Sequence, residues 1–323
     1  HALQLIQQAR ALDVGDPQPL FILIDLALTD NDLSKAEKTL AELDAIVPGD
    51  ARVLDRRARI LAAWGKTGEA IELLERSVRL RPDWKRLYNL AQLEYRHGRV
   101  PEARRDLGNL LEIAPGNVYG LSLLGEVELV NGDLHEAVRR YRELIRRSST
   151  PNRLSNLGLA YLLMHDYSHA AEVFQEVMVR APRNPTLLIN LADACHLLGR
   201  TQEARRHYQR VVELADSEAP GRPETLGSRA QALAHLGRGQ EAVTVIREAE
   251  RLAPDDAGVA YAAAVVYATL GEKDSALVSV ERARKLGYQP RWFTFAWFKE
   301  LEDRPEFQTL IRTAPKTTKR IGT

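Results

Sequence analysis

Two histidines four residues apart are the chain's nearest approach to a metal-binding motif. His165 and His169 lie in "MHDYSHA", with Asp166 between them. An i, i+4 pair of imidazoles can present two ligands on one helix face, but zinc takes three or four ligands, and the spacing indicates no third. The two positions fall in a predicted turn and at the start of a helix, where polar side chains are normally solvated. We therefore predict no metal site.

The single cysteine offers little nucleophilic chemistry. Cys195 has no neighbouring base in the sequence, and the same helical slot elsewhere holds Tyr161, Leu233 and Tyr267, so we predict a buried structural thiol. A phosphate-binding G-x-x-x-x-G-K-[ST] loop, a dinucleotide fingerprint, a G-x-S-x-G elbow and kinase motifs are all absent from the sequence. We predict that this chain is not an enzyme and needs no cofactor; the full-length protein is left open.

Asparagine recurs at one helical position. Asn89, Asn156 and Asn190 stand in "YNLA", "SNLG" and "INLA", while the intervening copy has Leu123. An amide can donate to and accept from a peptide backbone at the same time, so such a series could hold an extended peptide. The alternative is that these amides bridge neighbouring helices.

The composition is that of an ordinary globular chain. Its 323 residues are 45% hydrophobic and 28% charged, with a net charge of +1. That balance argues against a nucleic-acid partner. The longest apolar run, residues 257–271, is too short to span a bilayer. A single cysteine cannot form an intrachain disulfide, so it does not show whether the compartment is reducing or oxidising. For the location of the protein we slightly favour the cytoplasm and keep the periplasm as the alternative.

Small residues reveal an internal repeat that must position all of these side chains. An alanine follows Glu, His, Lys or Ser at eight sites whose successive spacings are 34, 33, 34, 33, 34, 38 and 34 residues. Other slots keep step with it in most copies: a small residue twelve positions earlier (Ile24 in the first copy), glycine five positions earlier, a large apolar residue four positions later and proline twelve positions later. The eight alanines are Ala36, Ala70, Ala103, Ala137, Ala170, Ala204, Ala242 and Ala276.

This pattern predicts pairs of helices. Glycine adopts the left-handed conformation that ends one helix, and proline separates one pair from the next. The small residues lie where the two helices cross, since a large side chain there would overpack at a cost of about 1–3 kcal/mol. Each pair leaves an apolar face that only a neighbouring pair can cover, so the pairs must stack.

The repeat resembles the tetratricopeptide repeat family, whose unit is a helix–turn–helix of about 34 residues. Residues 154–182 are the nearest copy, and the resemblance covers residues 18–286. It implies an all-α, right-handed solenoid of eight full repeats with a C-terminal helical cap. The one long spacing places extra residues near 215–223, in either a longer loop or an extended second helix.

The resemblance also implies a function and a site. In that family the first helices line a concave groove that holds an extended peptide or a partner helix. Mapping those slots onto this chain gives ten candidates: Lys85, Tyr88, Asn89, Gln92, Tyr95, Tyr119, Ser122, Asn156, Asn190 and Asp193.

The C-terminal end departs from the repeat. Residues 287–313 concentrate aromatic side chains, which we predict cap the last repeat, with an exposed docking patch as the alternative. The segment resembles the ends of tetratricopeptide arrays in bacterial signalling proteins, which often follow a Ser/Thr kinase or a winged-helix domain. Residues 314–323 are predicted to be a flexible tail.

The N-terminal end is predicted to be half a repeat. Counting 34 residues back from Ala36 puts Ala2 in the small slot, so residues 1–17 resemble a second helix without its first helix. We therefore expect a longer, bacterial protein in which this chain is a non-enzymatic scaffold for protein or peptide partners. The alternatives are a regulatory array of a kinase or transcription regulator, and an envelope scaffold for secretion, polysaccharide export or a protease. The sequence predicts no oligomeric state.

Overall fold

The computed structural model describes residues 15–218 and 221–312, together with residues 6 and 13. All regular structure in that part of the chain is helical. The predicted half repeat at residues 1–17 falls mainly outside the described residues, and the predicted tail at residues 314–323 falls wholly outside them. The α-helices are α1 (Gln18–Thr29), α2 (Leu33–Ile46), α3 (Ala51–Ala63), α4 (Thr67–Leu80), α5 (Trp84–Arg96), α6 (Val100–Ile113), α7 (Val118–Asn131), α8 (Leu134–Arg147), α9 (Pro151–Leu163), α10 (Tyr167–Arg180), α11 (Pro185–Leu197), α12 (Thr201–Glu218), α13 (Pro223–His235), α14 (Gly239–Leu252), α15 (Ala257–Thr269), α16 (Lys273–Lys285) and α17 (Pro305–Arg312).

The helices α1 to α16 form hairpins at the predicted repeat spacing. Each odd-numbered helix packs on the even-numbered helix that follows it, and most even-numbered helices also pack on the next odd-numbered one. We call the odd-numbered members first helices and the even-numbered members second helices. This arrangement confirms the predicted all-α helical repeat fold.

Local signals set the helix boundaries. Asp50 and Asp83 cap α3 and α5, because their carboxylates accept backbone N–H groups that the first helical turn leaves unpaired. Between the two helices of a hairpin, glycine takes a positive φ in most repeats; His165 takes the same conformation, at φ 58°, in the fifth. The φ angles lie between 75° and 100° for Gly65, Gly98, Gly132, Gly199, Gly237 and Gly271.

The small slots allow the two helices to touch. All eight repeat alanines are at most 1% exposed. The small residue twelve positions before the repeat alanine is a glycine in the fourth and fifth hairpins. Gly125 faces the ring of Tyr141, and Gly158 faces the ring of Phe174. Both rings are fully buried, so they fill the space that a Cβ atom would need.

The extra residues of the sixth repeat lengthen its second helix. Helix α12 has 18 residues, against 14 in most other second helices. Of the two arrangements that the sequence allows, the described residues adopt the extended helix.

The chain divides into two compact units between Gly120 and Leu121, near the start of α7. The first unit contains α1 to α6, and the second contains most of α7 and all later helices. In the second unit, two 3₁₀ helices (Pro290–Phe293 and Ala296–Leu301) precede α17, which packs against α16.

Candidate functional site

An aromatic cluster lies on the first helices of the first unit. The ring of Trp84, at the start of α5, stacks on Tyr119 with centroids 6.3 Å apart, and Tyr88 meets Tyr119 edge-on at 5.9 Å. The Nζ atom of Lys85 lies 5.6 Å from the Trp84 ring centroid. Tyr119 remains 57% exposed despite these contacts. We call these four residues the aromatic cluster.

Helix caps hold the cluster in place. Asp83 accepts the backbone N–H of Lys85 at 2.9 Å, which fixes the start of α5 next to Trp84. Asn117 accepts the N–H groups of Tyr119 and Gly120 at 3.0 Å, which fixes the start of α7. The aromatic rings are thus carried by the first turns of two capped helices, which positions them more firmly than a loop would.

Polar side chains extend from the cluster along α5. The Asn89 amide donates to Asp55 on α3 at 3.4 Å, and the Gln92 amide donates to the Tyr88 hydroxyl at 3.5 Å. Asn89 therefore bridges two first helices, which was one of the two roles open to it. Tyr95 is 4% exposed and packs in the interior.

Charges continue this surface toward α1. The carboxylate of Asp25 pairs with both Arg56 and Arg59, and the Arg56 contact is 2.8 Å. The guanidinium carbons of Arg52 and Arg56 lie 4.4 and 5.0 Å from the centroid of the Phe21 ring. These stacked cations stabilise α3 against α1, and together with Asp25 they form a mixed-charge surface on those two helices.

The first helices of the second unit carry a different kind of surface, because residues 288–301 fold back onto them. We call these residues the C-terminal segment. Tyr261 on α15 stacks on Tyr288 at 4.5 Å, its hydroxyl donates to the carbonyl of Trp292 at 3.4 Å, and the ring of Phe293 lies 5.7 Å away. The aromatic residues Phe293, Phe295 and Phe298 are at most 3% exposed, so they do not form an exposed patch.

The C-terminal segment also reaches earlier repeats. Trp297 lies edge-on to His235 of α13 at 5.9 Å, and Phe295 lies 6.0 Å from His165, in the α9–α10 turn. At the α7–α8 turn, a Cβ on Gly132 would collide with the guanidinium group of Arg291. The segment therefore contacts hairpins well before the last one, whereas the sequence predicts a cap on the last repeat alone.

Beneath Trp297 lies a group of buried polar side chains. The Tyr208 hydroxyl donates to Asp193 at 2.8 Å, and the rings of Tyr208 and His235 stack at 4.6 Å. Burial raises the pKa of Asp193 to about 7 and lowers that of His235 to about 3. The carboxylate of Asp193 is thus engaged by its own hairpin, and its side chain is only 14% exposed.

The ten predicted site residues are divided between the two units. The first unit holds Lys85, Tyr88, Asn89, Gln92, Tyr95 and Tyr119, and the second holds Ser122, Asn156, Asn190 and Asp193. Lys85 and Tyr119 are exposed, and Ser122, Asn156 and Asn190 are half-buried. Trp84 was missed, although its position next to the predicted Lys85 and at the start of a first helix could have indicated it.

The histidine pair has local partners. Nδ1 of His165 lies 2.6 Å from the Tyr167 hydroxyl, and Nδ1 of His169 lies 2.7 Å from Asp166. The two imidazoles thus contact different neighbouring side chains.

One other set of side chains could hold a metal. Within the described ranges, the ligand atoms of Cys195, Glu203 and His207 all lie within 4.8 Å of one another. The thiol is fully buried, and its pKa is raised to about 11 by burial and by the charge of Glu203. Sequence spacing does not reveal this set, because its members lie on two helices.

Fold and surface together define an all-α repeat protein that carries an exposed aromatic and polar surface on one set of helices. Sequence profiles described as tetratricopeptide repeat match residues 56–118, 183–255 and 228–290. The chain belongs to the tetratricopeptide repeat family. None of the helices in the described ranges is both long and apolar enough to cross a bilayer.

Curated relatives are similar over parts of their length. The BBSome complex member BBS4 of Bos taurus is 26% identical over 250 residues, which cover 76% of this chain and 46% of that protein. The cellulose synthase 1 operon protein C of Komagataeibacter xylinus is 28% identical over 130 residues, covering 38% of this chain and 10% of that protein. The chain spans about half the length of the BBS4 relatives that it matches.

Solved structures share the fold. A tetratricopeptide repeat protein from Parabacteroides merdae superposes with a TM-score of 0.60 at 19% identity, covering 81% of this chain and 99% of that one. Yeast Tom70 superposes with a TM-score of 0.55 at 15% identity, covering 88% of this chain and 62% of that one. At these identities the likeness concerns the fold alone.

Proposed function

We propose that this protein is an interaction scaffold that binds a protein segment on the first helices of its first unit. Tetratricopeptide repeat proteins are in general non-enzymatic scaffolds for protein partners, as the family match implies here. The observation that carries the proposal is the aromatic cluster, in which Tyr119 is 57% exposed although it stacks on Trp84. A preformed, solvent-accessible aromatic surface is typical of an anchor site in a protein interface.

The energy of binding favours aromatic anchors over the asparagines. Micromolar affinity needs about 8 kcal/mol, and a net hydrogen bond contributes only about 0.5–1.5 kcal/mol. Full burial of a large apolar side chain contributes about 1.5–3 kcal/mol. Tyr88 and Tyr119 would therefore supply most of the affinity, while Gln92 and Lys85 would orient the bound segment.

The first helices of the second unit are covered by the C-terminal segment, which favours the first unit as the binding surface. The C-terminal segment covers Tyr261 and His235, which lie on first helices of that unit. Removing the segment would expose three buried phenylalanines, each at a cost of about 1.5–3 kcal/mol, so a partner would compete poorly there. Among the predicted site residues, the exposed aromatic one, Tyr119, belongs to the first unit.

A peptide-display selection against the purified chain tests this proposal. Selected peptides are synthesised, and their affinities for the wild type and for Tyr119→Ala are measured by fluorescence anisotropy. Loss of one anchor should weaken binding about tenfold or more, equivalent to about 1.4 kcal/mol. Val179→Ala is the matched control, since Val179 is 78% exposed on a second helix of the second unit.

Two results would contradict the proposal. One is selected peptides that bind Tyr119→Ala as tightly as the wild type while the variant keeps its circular dichroism spectrum. The other is an equal loss of affinity in Val179→Ala, which would place the binding surface elsewhere.

A second candidate is a scaffold for polysaccharide assembly in a bacterial envelope. It is favoured by the similarity to cellulose synthase operon proteins of two Komagataeibacter species, at 28% and 30% identity over 130 and 121 residues. The regulatory array of a signalling protein is the further alternative, on the resemblance of residues 287–313. The coding sequence upstream of residue 1 separates them: a signal peptide supports the envelope role, and a kinase or winged-helix motif supports the regulatory one.

A further inference from the structure

The hairpin of α11 and α12 brings a thiol, a carboxylate and an imidazole together. The ligand atoms of Cys195, Glu203 and His207 lie within 4.8 Å of one another. Glu203 and His207 are four residues apart on α12, so both side chains point from one helix face toward α11. Cys195 lies near the end of α11 and is fully buried.

The backbone between the two helices holds this arrangement. Gly199 takes a φ of 75°, and the N–H of Arg200 donates to the carbonyl of Cys195 at 2.9 Å. Helix α12 begins at Thr201, so Glu203 lies in its first turn and His207 one turn later. The distance between the thiol and the other two groups is thus set by a tight turn rather than by a flexible loop.

Other repeats show that the same three slots converge. In the fifth repeat they hold Tyr161, His169 and Val173, and the rings of Tyr161 and His169 stack at 5.2 Å. In the third repeat they hold Glu94, Glu102 and Asp106, and the charge of Asp106 acts on buried Glu94. The convergence belongs to the hairpin geometry, and among the described residues the sixth repeat places a thiol, a carboxylate and an imidazole in these slots with their ligand atoms within 4.8 Å of one another.

The imidazole is available. Nε2 of His207 is shielded from solvent, has no hydrogen-bond partner in the described part of the chain, and lies 3.9 Å from Glu203 Oε1. Glu203 is 44% exposed, and its contacts with Arg200 at 3.8 Å and with His207 at 3.9 Å are both long. Arg200 is itself 52% exposed and able to turn into solvent.

We propose that Cys195, Glu203 and His207 form a binding site for a divalent transition metal, best suited to Zn²⁺. Thiolate, imidazole and carboxylate are the three ligand types that zinc uses, whereas a buried thiol disfavours Mg²⁺ and Ca²⁺. Tetrahedral zinc would hold its ligands about 3.3–3.8 Å apart, so the partly exposed Glu203 and His207 side chains must close in by about 1 Å. Water completes the fourth position, and the thiol proton passes to solvent as the Zn–S bond forms.

Cobalt titration tests the site in the untagged full chain after chelator treatment. Co²⁺ should give a thiolate-to-metal charge-transfer band in the near ultraviolet and ligand-field bands of tetrahedral intensity, saturating at one ion per chain. Added Zn²⁺ should abolish these bands by displacement. The charge-transfer band reports specifically on Cys195, because this is the only cysteine of the chain.

Variants assign the ligands. Cys195→Ser should remove the charge-transfer band, and His207→Gln should raise the dissociation constant about tenfold or more. Because the His207 side chain is partly exposed, His207→Gln should fold even if Cys195→Ser does not, and the site can then be tested with His207→Gln alone. The matched control is His169→Gln, in the same hairpin face of the preceding repeat, which should bind as the wild type does.

The proposal is overturned if the folded chain gives no charge-transfer band with Co²⁺. It is equally overturned if His207→Gln binds as tightly as the wild type, or if His169→Gln loses as much affinity as His207→Gln.

Discussion

Gly158 provides a sharp test of how the repeat holds its two helices together. An ideal Cβ at this position would lie 2.5 Å from Cε1 and 2.7 Å from Cζ of Phe174. Carbon atoms pack at about 3.5–4.0 Å, so Gly158→Ala requires the ring to move by about 1 Å. Phe174 is fully buried between the two helices, which leaves no space for that movement.

Two opposing effects determine the size of the change. Overpacking of this kind costs about 1–3 kcal/mol, while alanine stabilises a helix interior by about 0.5–1 kcal/mol relative to glycine. We therefore expect Gly158→Ala to lower the free energy of unfolding by about 1–2 kcal/mol. Chemical denaturation followed by far-ultraviolet circular dichroism measures it.

Two further variants separate overpacking from a general effect of the substitution. Gly108→Ala on α6 is the matched control, since no atom lies within 4 Å of its ideal Cβ; it should be more stable than the wild type by up to about 1 kcal/mol. Phe174→Leu should relieve the clash in the Gly158→Ala background, because the second and third repeats pair Ala58 with Leu74 and Ala91 with Leu107.

A double-mutant cycle shows whether positions 158 and 174 are coupled. If Gly158→Ala is as stable as the wild type, the close approach of the helices does not depend on glycine. If Phe174→Leu destabilises the Gly158→Ala chain as much as it destabilises the wild type, the two positions are not coupled and the pairing of small and large slots is wrong.

Two other predictions follow from buried groups. Burial, together with the charge of Asp106, raises the pKa of Glu94 to about 8, so the folded chain holds a proton that the unfolded chain loses near pH 4.5. This contribution to stability is complete below pH 4.5 and is lost as the pH rises to 8. The free energy of unfolding of Glu94→Gln should therefore rise relative to that of the wild type by up to about 1.4 kcal/mol per pH unit over that range. Phe298→Ala removes a ring that is 1% exposed and should destabilise the packing of the C-terminal segment by about 3–5 kcal/mol. Limited proteolysis should then cleave residues 288–301 faster than in the wild type. Cleavage as slow as in the wild type would mean that Phe298 does not anchor the C-terminal segment.

The fold was predictable from the sequence because the signals that specify it are local and repeated. Glycine at Gly65 and Gly98 ends a first helix wherever it occurs, and small residues at Ala70 and Ala103 mark each crossing. Eight copies in register make the pattern far stronger than any single hairpin would be. The histidine in the turn slot, His165, also adopts the glycine-like conformation that its position predicts.

The candidate site was only partly predictable. The family resemblance selected Lys85, Tyr88 and Tyr119, which the structure places together, but it did not indicate that the Trp84 ring completes the cluster. The asparagine series divides: Asn89 bridges to Asp55, and the described residues provide no hydrogen-bond partner for Asn156 or Asn190. The repeat pattern fixes the position of a residue on its helix. Which group its side chain contacts depends on the rotamers of the side chains on the neighbouring helix.

The sequence by itself determined the repeat, its register and the helices, because a period of about 34 residues needs only contacts between neighbouring segments. The tertiary structure alone decided where the aperiodic C-terminal segment lies. Residues 288–301 return to hairpins far earlier in the chain, where Phe295 meets His165 and Trp297 meets His235. No periodicity encodes these contacts, since they follow from the burial of aromatic groups once the hairpins have stacked.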